Sequence, residues 1–91
     1  MITNEQVLRV AKLLNITFDN FSFDDFKMGL EIELEHGNIN PNTNVTNDNL
    51  FLTGKIALAH LNEFPNYYSK EYGLPMFEKF LSRNCKKKNM W

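Results

Sequence analysis

The chain has 91 residues, 43% of them hydrophobic, with eight Phe and a formal net charge of −1. That is room for one small domain with one modest core, and for no second domain. A balance this near neutrality supplies no field to gather nucleic acid, and no apolar run approaches the roughly 18 residues that span a bilayer, so neither nucleic acid nor a membrane is an expected partner.

The charges are unevenly spread. Residues 1–40 hold seven acidic against three basic side chains, and residues 41–91 hold four against seven. Part of the second imbalance is Lys86, Lys87 and Lys88, which reads as a solvated basic tail over 85–91 following a helical domain over 1–84. Cys85 is the sole cysteine and cannot form an internal disulfide. With no charged-then-apolar leader, the chain is expected to be cytoplasmic. A core this small gains from association, which favours a homodimer with Tyr67, Tyr68 and Trp91 as interface aromatics.

In chain order, Thr3 to Gln6 has the form of a capping box and predicts a first helix from about Asn4. Val7, Leu8, Ala11 and Leu14 mark its buried face, Val10 its margin and Asn15 its stop. Phe18, Phe21 and Phe23 then alternate with polar residues, which predicts a short extended piece packed on the core. Ser22, Asp24 and Asp25 suit the start of a second helix.

Phe23 to His36 carries two periodicities. Phe26, Leu30 and Leu34 recur as a helix requires, while Leu30 to Glu35 alternates apolar and acidic as a half-buried strand does. The helix is favoured because His36-Gly37 reads as a basic last turn followed by a glycine in the left-handed cap position. A strand at 30–35, and so an α+β fold, is the alternative. Gly37 to Asn49 is a polar loop with six Asn in thirteen residues, a length associated with function or disorder. Asn38, Asn40 and Asn42 faintly imitate a calcium loop, but the acidic ligands and the closing Glu are missing, so calcium is excluded.

The stretch Thr53 to Tyr68 is central. Leu50, Leu52, Ile56, Leu58, Ala59, Leu61 and Phe64 make its helix apolar around much of its circumference, and Gly54, Ala57 and Ala59 would let neighbours come close. Pro65 ends this helix and opens a short one holding Tyr67 and Tyr68, which Gly73 closes. Pro75 opens the last, with Met76, Phe77, Phe80 and Leu81 as its inner face. The expected fold is all-α: four or five short helices with a long polar loop before the central one.

Two spacings carry the candidate chemistry. Glu33 and His36 are three apart, as are His60 and Glu63, so on facing helices they could present two His and two Glu to one divalent metal ion, with zinc, manganese or iron the suitable choices. The competing reading is a structural network in which His36 caps a helix end and His60 bonds a glutamate. A third reading takes Lys55, His60, Asn62, Glu63, Tyr67 and Tyr68, with Thr43, Asn44 and Thr46 of the loop, as the surface for a protein partner or a small polar ligand. Amides at the start of the Thr53 helix could receive an anion, although Thr53-Gly54-Lys55 lacks the upstream glycine of a phosphate loop. No Ser, Thr or Cys sits in an activated-nucleophile pattern, so no catalytic residue is assigned.

At EIELEHG, TNVTND and TGKIALAHLNEFPNYY, within Gly29 to Tyr68, the chain resembles a family of small bacterial and phage-associated domains of unknown function. That family typically carries an acidic residue where this chain has Asn49 and Asn66, which puts a ligand role at those two positions in doubt. The resemblance implies that Glu33, His36, His60, Glu63 and the Asn/Thr loop are the seat of the common function. By analogy it implies a role in host takeover, such as inhibiting a defence protein or sequestering a signalling ligand. The leading expectation is therefore a non-enzymatic binding module. A metal-dependent domain, hydrolytic at most, comes second, and a pocket for a small anionic ligand third.

Overall fold

The computed structural model describes residues 2–39 and 49–84, without the side chains of 36–39 and 84. Its four helices are α1 (Asn4–Leu13), α2 (Phe23–Ile39), α3 (Leu50–Glu63) and α4 (Leu74–Asn84). The described residues contain no strand, and the fold is all-α as expected. No helix among them is long and apolar enough to cross a membrane.

The capping box forms: the Thr3 hydroxyl accepts the Gln6 amide at 3.1 Å and the Gln6 side chain accepts the Thr3 amide at 2.9 Å. The buried face of α1 is Val7, Val10 and Ala11, with Leu14 half-buried beside them. Val10 therefore belongs to the core, whereas Leu8 is 54% exposed. One residue is about 100° of helix, and Val7, Val10, Ala11 and Leu14 define a stripe that Leu8 misses.

The link into α2 is not extended. Asn15 and Phe18 both take the left-handed conformation, with φ of 57° and 58°, a conformation that is uncommon for asparagine and an outlier for phenylalanine. The reversal gathers the rings of Phe21, Phe23 and Phe26 within 5.9–6.3 Å of that of Phe18. Aromatic alternation here marks a knot of rings rather than one face of a strand.

Ser22 and Asp25 exchange backbone-to-side-chain bonds at 3.0 Å each, which starts α2. Phe26, Gly29, Leu30 and Glu33 are its buried stripe, at i, i+3, i+4 and i+7. A strand would have turned Leu30, Ile32 and Leu34 inward together and Glu33 outward; instead Glu33 is buried while Ile32 and Leu34 are half-buried. The expected stop at His36-Gly37 is also corrected, since α2 continues to Ile39 and no described glycine has positive φ.

Asn49 caps α3, its side chain accepting the Leu52 amide at 3.1 Å. Thr53 lies in the first turn, with its amide and its hydroxyl both donating to the Asn49 carbonyl at 2.9 and 2.8 Å. That amide is not open to an anion, and the helix begins before Thr53. α3 packs mainly against α2, where Ala57 and Leu61 are wholly buried. A Cβ on Gly54 would stand 2.5 Å from Val10 Cγ1, so glycine is what lets α1 close on α3. Ala59, expected at a close approach, faces solvent.

Phe64 is extended before Pro65, as the proline requires, but no short helix follows. The chain makes turns, with the Tyr67 amide donating to Phe64 O at 2.9 Å and the Ser69 amide to Asn66 O at 3.0 Å. Gly73 lies against this turn so closely that a Cβ would be 2.2 Å from the Tyr67 carbonyl oxygen. Beyond it Leu74 packs on the core, but the expected inner face of α4 is outside: Met76, Phe77, Phe80 and Leu81 are 38–55% exposed. Periodicity identifies an apolar face; it does not identify what covers that face.

Candidate functional site

The buried stripe of α2 ends in a carboxylate, and two elements converge on it. Glu33 is 9% exposed, and its Oε2 accepts the Tyr68 hydroxyl at 2.5 Å and lies 3.0 Å from His60 Nδ1. His60 Nδ1 is also 2.9 Å from the Tyr68 oxygen. Burying a carboxylate without partners costs several kcal/mol, and here two donors offset that cost. Among the described residues no buried side-chain nitrogen or oxygen lacks a partner.

Proton counting assigns the histidine. The Tyr68 hydroxyl has one hydrogen and gives it to Glu33; the carboxylate only accepts, so Nδ1 must carry the proton shared between Glu33 and Tyr68. In the neutral imidazole Nε2 is then a lone pair, with no hydrogen-bond partner among the described residues. The face of the ring lies on Tyr67, with centroids 4.2 Å apart and planes 16° apart, and 36% of the side chain is open.

Tyr68 has the opposite role from a contact residue. It is 1% exposed, edge-on to Tyr67, and its ring lies on the bare backbone of Gly29, where a Cβ would be 2.6 Å from Cε2. Burial raises its pKa well above the usual 10, and the hydrogen bond to ionised Glu33 raises it further. Burial also raises that of Tyr67, followed by the charges of Glu33, Glu78 and Glu63. The sign of the consequence is definite. Above about pH 10 an unfolded tyrosine loses its proton while native Tyr68 keeps it, so the stabilisation is complete below pH 10 and falls by up to about 1.4 kcal/mol per pH unit above it. Denaturant titrations at stepped alkaline pH are expected to show that slope, and Tyr68→Phe is expected to flatten it.

The remaining sequence candidates do not join the hydrogen-bonded trio. Lys55, Asn62 and Glu63 are exposed on the outer side of α3, with Phe51, Leu52 and Ala59. Asn62 also lines an open cleft of about 260 Å³ formed with Leu58 and the Leu14–Phe21 link. That cleft carries the Asp19 carboxylate and no cationic side chain, a poor match for a small anion. Thr43, Asn44 and Thr46 lie outside the described residues, as does the side chain of His36. Of the expected metal ligands, Glu33 and His60 meet, but through a shared hydrogen bond with Tyr68. Among the described residues no cluster of three His, Cys, Asp or Glu side chains could hold a metal ion. The role of Tyr68 as the hidden third member escaped the sequence reading; the signal was Gly29, a helix-interior glycine that only a close-packed neighbour explains.

No curated protein and no solved structure matches this chain. Residues 7–74 match the family described as Protein of unknown function (DUF5661), a span running from α1 to the first residue of α4 and containing Glu33, His60, Tyr67 and Tyr68, and the chain belongs to that family.

Proposed function

We propose that this domain is a non-enzymatic binding module whose contact face is the open edge of the His60–Tyr67 stack together with the solvent side of α3. The observation that carries the reading is the fixed histidine. One nitrogen is tied to a buried carboxylate and tyrosine, one face is covered by Tyr67, and the other nitrogen has no hydrogen-bond partner among the described residues and can accept from a binding partner. A side chain held this way loses little freedom on binding, which lowers the cost of association. Glu63 and Phe64 follow His60 at i+3 and i+4, and Lys55 and Ala59 continue the exposed side, giving the mixed apolar and polar character of non-obligate interfaces.

The test is retention of proteins from a host extract by the immobilised domain, compared with the double variant Lys55→Glu/Glu63→Lys. Both positions are exposed, so the fold is expected to survive. A protein held by the native domain and lost by the variant supports the reading; equal retention, or none by either, removes it.

The tautomer of His60 favours a second reading. A carboxylate that fixes Nδ1–H is how proteins orient a histidine whose Nε2 binds a metal ion. Glu63, one helical turn beyond His60, would supply a further ligand to a divalent ion. Calorimetric titration of Zn²⁺ should then give saturable heat that His60→Gln abolishes, and the absence of heat with the native chain would end this reading.

A further inference from the structure

The open cleft of about 260 Å³ beside the Leu14–Phe21 link reaches α3 through Leu58 and Asn62 and contains neither His60 nor Tyr67. Leu14, Ile16, Phe18 and Leu58 are half-buried in its wall, while Asn15, Thr17, Asp19, Asn20 and Asn62 are exposed at its edge. Apolar surface beneath a few convergent polar groups is the anatomy of a small-ligand site. We propose that this cleft binds an alkylammonium or alkylguanidinium group, with the cation against Asp19 and the aliphatic stem on Leu14, Ile16 and Leu58.

The polar edge selects a cation. Asp19 is the one charged residue among those lining the cleft, and among the described residues its carboxylate has a single hydrogen-bond partner, the Thr17 hydroxyl at 2.7 Å. A carboxylate has about four acceptor sites, so most of its capacity is left for an outside donor. The backbone adds to that capacity. All of Thr17 to Phe21 line the cleft, and none of their amides or carbonyls makes a hydrogen bond among the described residues. Backbone polar groups are obligatory bonding groups, so these must be met by water or by a ligand. Ammonium and guanidinium heads are donors only, which suits a carboxylate and open carbonyls together. An anion would meet the Asp19 charge with no cation to offset it, and a neutral ligand forgoes the charge-assisted bond. The stem follows from the apolar wall, because an aliphatic chain lies along such surface while its charged head stays at the wet edge.

The openness of the site sets the strength. Asp19 is exposed and screened by salt, so butylguanidinium is expected to bind with a dissociation constant on the order of 1 mM at low ionic strength. The same head and stem occur on a free amine and on an arginine or lysine of a partner protein. Residues 17–21 separate the two sources, since a capped arginine brings peptide groups that can pair with their backbone and a free amine does not. The site shares neither His60 nor Tyr67 with the contact face proposed above, so it stands or falls separately.

Two-dimensional amide NMR of the full chain, titrated with butylguanidinium chloride at fixed ionic strength, tests the proposal. Saturable shifts are expected at residues 14–21, Leu58 and Asn62. Asp19→Asn, which keeps the shape of the side chain and an acceptor for Thr17, is expected to weaken binding by at least about tenfold. Glu5→Gln removes a carboxylate at the far end of α1 and should leave binding as it was, and butanol and butyrate should give no saturable shift. Tighter binding of N-acetyl-arginine amide than of butylguanidinium identifies a protein side chain as the source of the cation; weaker binding identifies a free amine. A native chain without saturable shifts overturns the proposal. So do shifts centred outside the cleft, shifts that Asp19→Asn leaves unchanged, and butanol binding as well as the cation.

Discussion

Gly29→Ala is expected to destabilise the domain by about 3 kcal/mol, although alanine is the better helix former by roughly 1 kcal/mol. The added methyl would stand 2.6 and 2.8 Å from two carbons of the Tyr68 ring and 3.3 Å from Ala57 Cβ. That ring has no room to yield: it is buried to 1% exposure and its hydroxyl is tied to Glu33 and His60. Making space for the methyl therefore breaks the hydrogen-bonded trio. Domains of this size have about 5–14 kcal/mol to lose, so the effect is large in urea unfolding. In a Tyr68→Ala background the same substitution should cost much less, because the obstructing ring is gone. Costs that simply add would show that the Tyr68 ring is not what excludes the methyl group.

Tyr68→Phe should cost about 2 kcal/mol, the usual worth of a buried hydrogen bond to a charged group. The ring volume is kept and only the donor to Glu33 disappears, which leaves a buried carboxylate with His60 as its remaining partner among the described residues. A double-mutant cycle with Glu33→Leu isolates the pair. Glu33→Leu removes the acceptor, and Tyr68→Phe adds little to it, because the hydroxyl then has only His60 to bond. A coupling of about 1–2 kcal/mol is expected by equilibrium unfolding. Coupling near zero would mean that packing, and not the hydroxyl, holds the corner between α3 and α4.

These two substitutions act on one joint, and the joint explains why the candidate site lies where it does. Glu33 comes from α2, His60 from the last turn of α3 and Tyr68 from the turns after Pro65. The trio fixes the path of the chain after α3, and it orients His60 by the same contacts. Tyr67 follows from the same path, since the turn that buries Tyr68 lays its neighbour flat on the imidazole. Stability and the candidate contact surface thus share residues. A His60 substitution must be read against unfolding before any loss of binding is attributed to it.

Much of the local structure was legible in the residues themselves. Thr3 with Gln6, and Ser22 with Asp25, satisfy helix-start amides through side chains three positions apart, so composition at that spacing is enough to place α1 and α2. Pro65 ends α3 for an equally local reason, whereas the Asn49 cap was found only in the structure. The all-α class followed from these signals and from the spacing of Phe26 and Leu30. What lay beyond local chemistry was which surfaces meet. Leu30 to Glu35 fits a strand as well as a helix until Glu33 is seen to have two donors from elsewhere in the chain. Glu33 and His60 were placed in one set with His36 and Glu63, but Tyr68 could not be joined to them, because a hydroxyl 35 residues from Glu33 leaves no periodic trace.

The sequence by itself determined where α1 and α2 start and that the chain folds as all-α, because capping and amphipathic spacing act over three or four residues. Only the tertiary structure decided that Tyr68 is a buried anchor and Tyr67 the stacked neighbour, that Gly29 exists for an aromatic ring, and that the apolar stripe of α4 faces outward. Those outcomes depend on the angle at which the chain leaves the Pro65 turn, which is set by close packing among α2, α3 and that turn. An apolar stripe has the same pattern whether it is covered by its own core or left for a partner, so burial at α4 was never a local property.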